Sequence, residues 1–179
     1  DEEFDEPLGI STGAGAIFGA TGGVMEAALR TVYEIVTNKE LENIEFTDVR
    51  GDEGVKEATI DIDGTKVNVA VAHGLGNARK ILDKVKNGEA NYHFIEIMCC
   101  PGGCVGGGGQ PILSADERWE MDYREVRGES IYEVDRKMKL RKSHENPAVQ
   151  TLYKEFLGKP LGEKSHKLLH THYTERGLY

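Results

Sequence analysis

Residues 94–111 read FIEIMCCPGGCVGGGGQP, and how this stretch is read decides the fold. Phe94 to Met98 is an apolar run of strand length, interrupted only by Glu96. The chain's three cysteines follow as Cys99, Cys100 and Cys104, and six glycines fall between Gly102 and Gly109. Thiolates bind soft metals and iron-sulfur clusters, and a cluster's sulfides accept hydrogen bonds from backbone N–H groups that only small residues bring close. A metal-sulfur site with exposed backbone is therefore expected just past the end of a buried strand. The plain alternative is a glycine-rich turn with structural cysteines, since free Cys often packs as a small hydrophobe. A lone CxxxC does not decide between the two.

Upstream, Thr59 to Ala72 alternates apolar and polar residues on both sides of Asp63-Gly64, a hairpin signal. The second strand runs to His73, and a Gly74-Leu75-Gly76 turn hands over to a helix from Asn77 to Lys86. Ala78, Ile81, Leu82 and Val85 should face inward, and Gly88 ends the helix. Tyr92 to Met98 is then the next strand, parallel to 67–72 through a right-handed crossover. Ligands in such sheets gather outside the carboxyl ends of the strands, where Cys100 lies. His73 ends the neighbouring strand on the same side and is read as a structural histidine.

Nearer the N-terminus, an acidic stretch from Asp1 to Glu6 precedes a glycine-rich segment, Pro7 to Gly23, that opens a helix running to Asn38. Such a loop offers unpaired N–H groups and a positive dipole end. A dinucleotide-loop reading of Gly13-x-Gly15 fails on glycine spacing, on the missing preceding strand and on the missing acidic ribose partner. Val24, Ala28, Thr31, Val32, Ile35 and Val36 recur at three and four, which predicts an apolar, core-facing stripe. Leu41 to Arg50, with Ile44, Phe46 and Val49, reads as a short strand.

Past Pro111 the chain turns helical and charged. Ser114 to Glu117 is a capping sequence, with Trp119 and Tyr123 on one side. Residues 124–142 carry Ile131, Val134, Met138 and Leu140 for packing, and the basic run Lys137, Lys139, Arg141, Lys142 reads as a solvated face. Asn146-Pro147 starts a helix that Gly158 stops, with Val149, Leu152, Tyr153 and Phe156 apolar, and a last short helix spans about 164–172. His166 and His170 lie one turn apart, and His144 and His172 are near in sequence. No carboxylate or thiol completes a zinc set.

The chain has 179 residues, the size of one domain with one core, and a net charge of −9 spread without a basic stripe, which argues against nucleic acid as a partner. No apolar run approaches the roughly 20 residues needed to span a bilayer, and no signal-like segment opens the sequence, so no membrane partner is expected. Three cysteines, two adjacent, make no disulfide framework, so a reducing compartment is expected and the cytoplasm is the default. The first residue is Asp1 and not Met, which suggests a chain cut from something longer or processed.

With these residues in view, Glu96-Ile97-Met98-x-Cys100-Pro-Gly-Gly103-Cys104 followed by Gly107-Gly-Gly-Gln110-Pro111 resembles the last signature motif of the di-iron (iron-only, FeFe) hydrogenases. GAGAIFGATGGVMEAALR, residues 13–30, resembles the segment upstream of that motif. Residues 141–147 with His166 to Tyr173 resemble the helical wrapping segment that is a separate small subunit in the periplasmic two-chain enzymes. The resemblance implies that residues 1–113 are the C-terminal lobe of the catalytic domain and 114–179 the wrapping segment, continuous here as in cytoplasmic single-chain enzymes. It implies that Cys100 and Cys104 are metal ligands to a 4Fe-4S cubane, with the Cys104 sulfur bridging to a di-iron subcluster that carries CO, CN and dithiolate ligands. Met98, Phe18, Gly19, Val24 and Gly103 would line that cofactor. The reaction implied is reversible reduction of protons to H2, with electrons relayed through the cubane.

At Cys99 the family more usually carries a small residue, and strand alternation makes this cysteine a buried bystander. A cubane needs four protein ligands, so two cysteines must come from a remaining lobe of the catalytic domain, which is the expected partner. An electron carrier such as ferredoxin or NADH-linked subunits is the other. Hydrogenase-like iron-sulfur assembly factors without the di-iron unit, and sensory hydrogenase homologues, are the alternatives. Gly103, the GATGGVMEA phrase and the long C-terminal segment favour the enzyme.

Overall fold

The computed structural model describes residues 9–51 and 53–177. The acidic stretch expected at residues 1–6 lies outside them. The chain divides into a larger unit, Ser11–Ser143, and a smaller one that joins residues 9–10 to residues 144–177.

The larger unit is built on a three-stranded sheet in the order β1-β2-β3, with β1 Val55–Ile62, β2 Thr65–His73 and β3 Phe94–Met98. β1 and β2 form the expected hairpin, Ile62 opposite Thr65, and the turn places Asp63 and Gly64 at φ 52° and 86°. Positive φ at both central residues is what a two-residue hairpin matched to strand twist requires, and Asp-Gly tolerates it. β2 and β3 pair in parallel, Val69 opposite Phe94 and His73 opposite Met98. The helix between them, α3 (Leu75–Lys86), covers one face of the sheet through Ile81 against Ala70 and Ala72. The fold is thus α/β with a parallel βαβ core, a hairpin, glycine-rich loops and a C-terminal helical segment.

Two helices precede the sheet in sequence: a single turn, α1 (Gly13–Ala16), and α2 (Gly23–Thr37), which ends at Asn38 in the left-handed region. Met25 and Leu29 of α2 pack with Val49, Ile60, Ile62, Val69 and Val71 on the other sheet face. Each fully buried side chain of this size contributes about 1.5–3 kcal/mol. After the cysteine loop come α4 (Ala115–Glu120), opened by a complete Ser114–Glu117 capping box, and α5 (Tyr123–Lys137), whose Tyr132 and Ile131 pack with Ala14, Ile17, Ala20 and Ala27.

Several packing expectations are corrected. The stripe assigned inward on α2 faces out: Val32, Ile35 and Val36 are exposed, the last two by 66% each. The buried side of α2 is instead Met25, Glu26, Ala27, Leu29 and Arg30. Periodicity found the helix but chose the wrong face, because the true inward face carries a charge pair. In α3, Ala78 and Ile81 are buried, but Leu82 and Val85 are exposed. Residues 41–50 form no strand; Thr47–Val49 is a 3₁₀ turn that seats Val49 in the core. Trp119 and Val134 are exposed, while Tyr132 and Asp135 do the packing in α5.

In the smaller unit, α6 (Pro147–Leu152) starts as the Asn-Pro signal requires. The Asn146 side chain accepts from the Ala148 N–H at 2.9 Å and donates to the Ile10 carbonyl at 2.6 Å. A π-turn, Tyr153–Leu157, follows and buries Leu157. The last helix, α7 (Glu163–Leu169), is held by the Ser165 hydroxyl on the carbonyls of Lys159 and Gly162.

Candidate metal-sulfur centre

β3 delivers the cysteines. Its last carbonyl, on Met98, is taken by the Gly74 N–H at 2.8 Å, so the strand ends where β2 turns into α3. The chain then bends at Cys99 and Cys100 and turns through Pro101 and Gly102. The Gly103 N–H closes this turn on the Cys100 carbonyl at 3.0 Å. Cys104 begins a 3₁₀ turn, Cys104–Gly106. Cys100 is half-buried and Cys104 exposed. The Cys100 Sγ lies against the backbone of Gly107, 3.4 Å from where a β-carbon there would sit.

The loop is clamped to the segment that opens α2. Ala20 and Gly103 form an isolated antiparallel bridge, and the Thr21 N–H donates to the Gly102 carbonyl at 2.9 Å. Gly103 sits at φ 93°, ψ −157°, a conformation open to glycine alone. A β-carbon at this position would lie 2.8 Å from both the Gly19 carbonyl oxygen and the Thr21 nitrogen. Gly19 and Gly103 are therefore neighbours through close backbone approach.

A second clamp was not read from the sequence. Glu96, in the middle of β3, is buried, and its carboxylate accepts from the Gly22 N–H at 2.6 Å and the Met25 N–H at 2.7 Å. These are free donors of the α2 N-terminus, so the strand carrying the cysteines holds the helix end that carries Phe18, Gly19 and Val24 nearby. The anionic group expected at that helix end is the protein's own side chain. A lone acid inside an apolar strand was the available signal.

Of the expected lining, Phe18 is 45% exposed, and Val24, Gly19 and Met98 are half-buried. Gly103 is buried. Cys99 is exposed, which corrects its reading as buried: β3 ends at Met98, so strand alternation does not extend to it. His73 is buried opposite Met98 in the β2–β3 register. His166 and His170 stack with ring centroids 4.2 Å apart, and His172 lies 6.2 Å from His166.

Behind the site, α2 and α5 are joined by buried ions. Arg30, wholly inaccessible, donates to Asp135 through Nη1 at 2.9 Å and Nη2 at 2.8 Å, and to Glu26 at 2.8 Å. Glu26 also accepts from Arg50 at 2.7 and 2.8 Å, and Asp135 from Arg141 at 2.6 Å. Burial alone would raise the Asp135 pKa, but the hydrogen bonds from Arg30 and Arg141 outweigh it and hold the carboxyl below its ordinary value.

The sequence profile of the iron-only hydrogenase large subunit, C-terminal domain, matches residues 1–108, and that of the iron hydrogenase small subunit matches residues 121–176. The NADP-reducing hydrogenase subunit HndD of Solidesulfovibrio fructosivorans is 53% identical over 98% of this chain and 29% of its own length. Iron hydrogenase 1 of Clostridium pasteurianum is 47% identical over 97% of this chain and 30% of its own. The solved FeFe-hydrogenase HydA1 from Chlamydomonas reinhardtii is 43% identical, covers 96% of this chain and 49% of that one, and superposes with a TM-score of 0.67. The cytosolic iron-sulfur assembly component 3 of Rattus norvegicus is more distant, at 29% over 87% of this chain. The chain spans about 30% of the length of the curated relatives it matches.

Proposed function

From a chain that belongs to the iron-only hydrogenase family, in the C-terminal domain of its large subunit, we propose a share in reversible hydrogen production and oxidation. Residues 1–113 serve as a lobe of the catalytic domain and 114–179 as its helical wrapping segment. Cys100 and Cys104 would hold a 4Fe-4S cubane, and Cys104 would also hold the attached di-iron subcluster with its CO, CN and dithiolate ligands. When bound, that assembly supplies the reduction of two protons by two electrons to H2.

The donor set fits one share of such a group. Two thiols are carried on a glycine-rich turn, and Cys100 Sγ has backbone rather than side chain beside it at Gly107. A cubane needs four ligands, so the other two come from the remaining lobe of the catalytic domain. Within this chain, Glu96 fixes the angle between the cysteine strand and α2, and Gly103 allows the Cys104 loop to touch residues 19–21. Phe18, Val24 and Met98 form an apolar wall that keeps water from the reacting centre. Electrons arrive from a carrier such as ferredoxin or NADH-linked subunits.

The observation that carries this reading is Gly103. Its φ and the 2.8 Å approach give the cysteine loop and the residue 13–30 phrase one shared geometry. The test uses the full catalytic domain after cofactor loading. Cys104→Ser should abolish H2 evolution and the infrared bands of iron-bound carbonyl and cyanide, because oxygen is a poor replacement for a bridging thiolate. Cys99→Ala should keep most activity; an inactive, folded Cys99→Ala protein would overturn the assignment of roles between Cys99 and Cys100. The 179 residues alone should show neither the bands nor turnover. Retention of a cubane by the full domain without either band would favour the assembly-factor reading.

A further inference from the structure

Gly103 ties the cysteine loop to residues 19–21 on one side of Cys104, and a side chain of α5 ties it on the other. Arg127 donates through Nη1 to the Val105 carbonyl at 3.1 Å and through Nη2 to the Pro111 carbonyl at 2.8 Å. Its guanidinium lies over the Tyr123 ring, 4.9 Å from the centroid. One planar group therefore closes both ends of the glycine loop, and the first of its acceptors sits on the residue next to Cys104. A guanidinium presents its donors as a rigid fork and holds two acceptors in one geometry, which an ammonium on a flexible stem does not.

Little else orders this loop. The Gly107 N–H donates to the Cys104 carbonyl at 3.0 Å, but among the described residues no backbone-to-backbone hydrogen bond is made by residues 108–113. β-Carbons built at Gly108 and Gly109 would meet nothing within 4 Å, so packing does not confine the loop either. Fixing glycine costs more conformational freedom than fixing any other residue, so order here has to come from outside the loop. Arg127 is half-buried and placed to supply it. Among the described residues it pairs with no carboxylate, whereas Arg30, Arg50 and Arg141 each do, and its donors go to the loop instead.

We propose that Arg127 is a positioning residue for Cys104: by holding Val105 and Pro111 together it fixes where the thiol and the amides around it stand towards a cluster. The inference rests on the reading above that Cys104 is a cluster ligand. It also gives α5 a second task. Arg127 lies in the part of the chain that matches the small-subunit profile and Val105 in the part that matches the large-subunit profile, so the wrapping segment supports the ligand loop as well as covering the domain.

The test compares Arg127→Met and Arg127→Lys with the parent, all as the full catalytic domain. In the cofactor-free proteins, hydrogen exchange is read at the Gly106 and Gly107 amides, whose 3.0 Å bonds to the Gly103 and Cys104 carbonyls form the turn at the ligand. Exchange there should quicken about tenfold in Arg127→Met, while the Leu29 amide in the buried part of α2 keeps the parent's rate. With the cubane alone loaded, its reduction potential should shift in the same direction in both variants, because the potential follows the hydrogen bonds to the sulfurs and their exposure to solvent. Arg127→Lys keeps the charge but reaches one carbonyl, so it should behave as Arg127→Met does. Parent-like exchange at Gly106 and Gly107 in Arg127→Met overturns the inference. So does an Arg127→Lys protein with the parent's potential, since charge alone would then be acting, and so does equal quickening at Leu29, which would make Arg127 a support of the whole fold. A parent domain that takes up no cubane would defeat the proposed function instead, and the exchange result would stand apart from it.

Discussion

The two faces of α2 reverse the usual order of a soluble helix. Inward, between Met25 and Leu29, it buries Glu26 and Arg30; outward it shows Val32, Ile35 and Val36 to solvent. The inward ions are fully paired, Arg30 with Glu26 and Asp135, and Glu26 again with Arg50. The outward side chains are exposed, Val32 by 40% and Ile35 and Val36 by 66% each. A helix normally keeps its apolar stripe for the core. The inward contacts are complete within these residues, whereas Val32, Ile35 and Val36, like Phe18 and Cys104, are left exposed.

The largest effect expected from breaking the comparison is at Arg30. Arg30→Met keeps an unbranched apolar stem but takes one cationic partner from each of two buried carboxylates, leaving Glu26 with Arg50 and Asp135 with Arg141, and should cost about 3 kcal/mol in denaturant unfolding of the full catalytic domain. A loss under about 1 kcal/mol would mean that the inward ions are not what joins α2 to α5. Next is Glu96→Ala, which frees the N–H groups of Gly22 and Met25 in a buried place. Charge-assisted bonds of this kind are worth about 1.5–3 kcal/mol. Because Glu96 also sets the cysteine strand against residues 19–25, this variant should lose cluster content along with stability.

A pH titration sharpens the same contrast. Asp135 has its carboxyl held below the ordinary 3.8 by Arg30 and Arg141. A depressed native value means that the pair's stabilisation is present above the unfolded value. It is lost as pH falls through the native one. The full domain should therefore lose stability below about pH 4, and Asp135→Asn should flatten that acid limb while lowering stability at neutral pH. An unchanged acid slope would show that Asp135 does not titrate with folding.

How much of this was legible follows from which signals are local. The hairpin at Asp63-Gly64, the stop at Asn38, the Ser114–Glu117 box and the Asn146 cap are set by a few adjacent residues, and each appears where expected. The parallel pairing of β2 with β3 followed from spacing alone. What failed was the choice of inward face on α2 and half of it on α3, where Ala78 and Ile81 are buried as expected but Leu82 and Val85 are not. Leu82, Val85, Val32 and Ile35 all look like core residues by hydropathy, whereas Arg30 pairs with Asp135, 105 positions away, and no local pattern announces that. The cysteine pair was legible because chemistry restricts what such a string can do. Glu96 stands inside the motif, but its role is not legible locally, because its partners lie more than 70 residues upstream.

The smallest expected effect lies on the outward face, and its small size is the point. Ile35→Ser with Val36→Ser changes two side chains that are each 66% exposed and make no core contact, so within these 179 residues the stability change should stay within about 0.5 kcal/mol. The same pair should slow aggregation of the isolated chain, because exposed apolar patches drive association. In the full catalytic domain the sign should reverse: if other residues cover this stripe, the serines become buried hydroxyls and cost on the order of 1–3 kcal/mol. Thermal midpoints of the variant in both forms check this. A neutral result in both would mean that the outward stripe stays in water, and the inversion of α2 would then need some cause other than a missing neighbour.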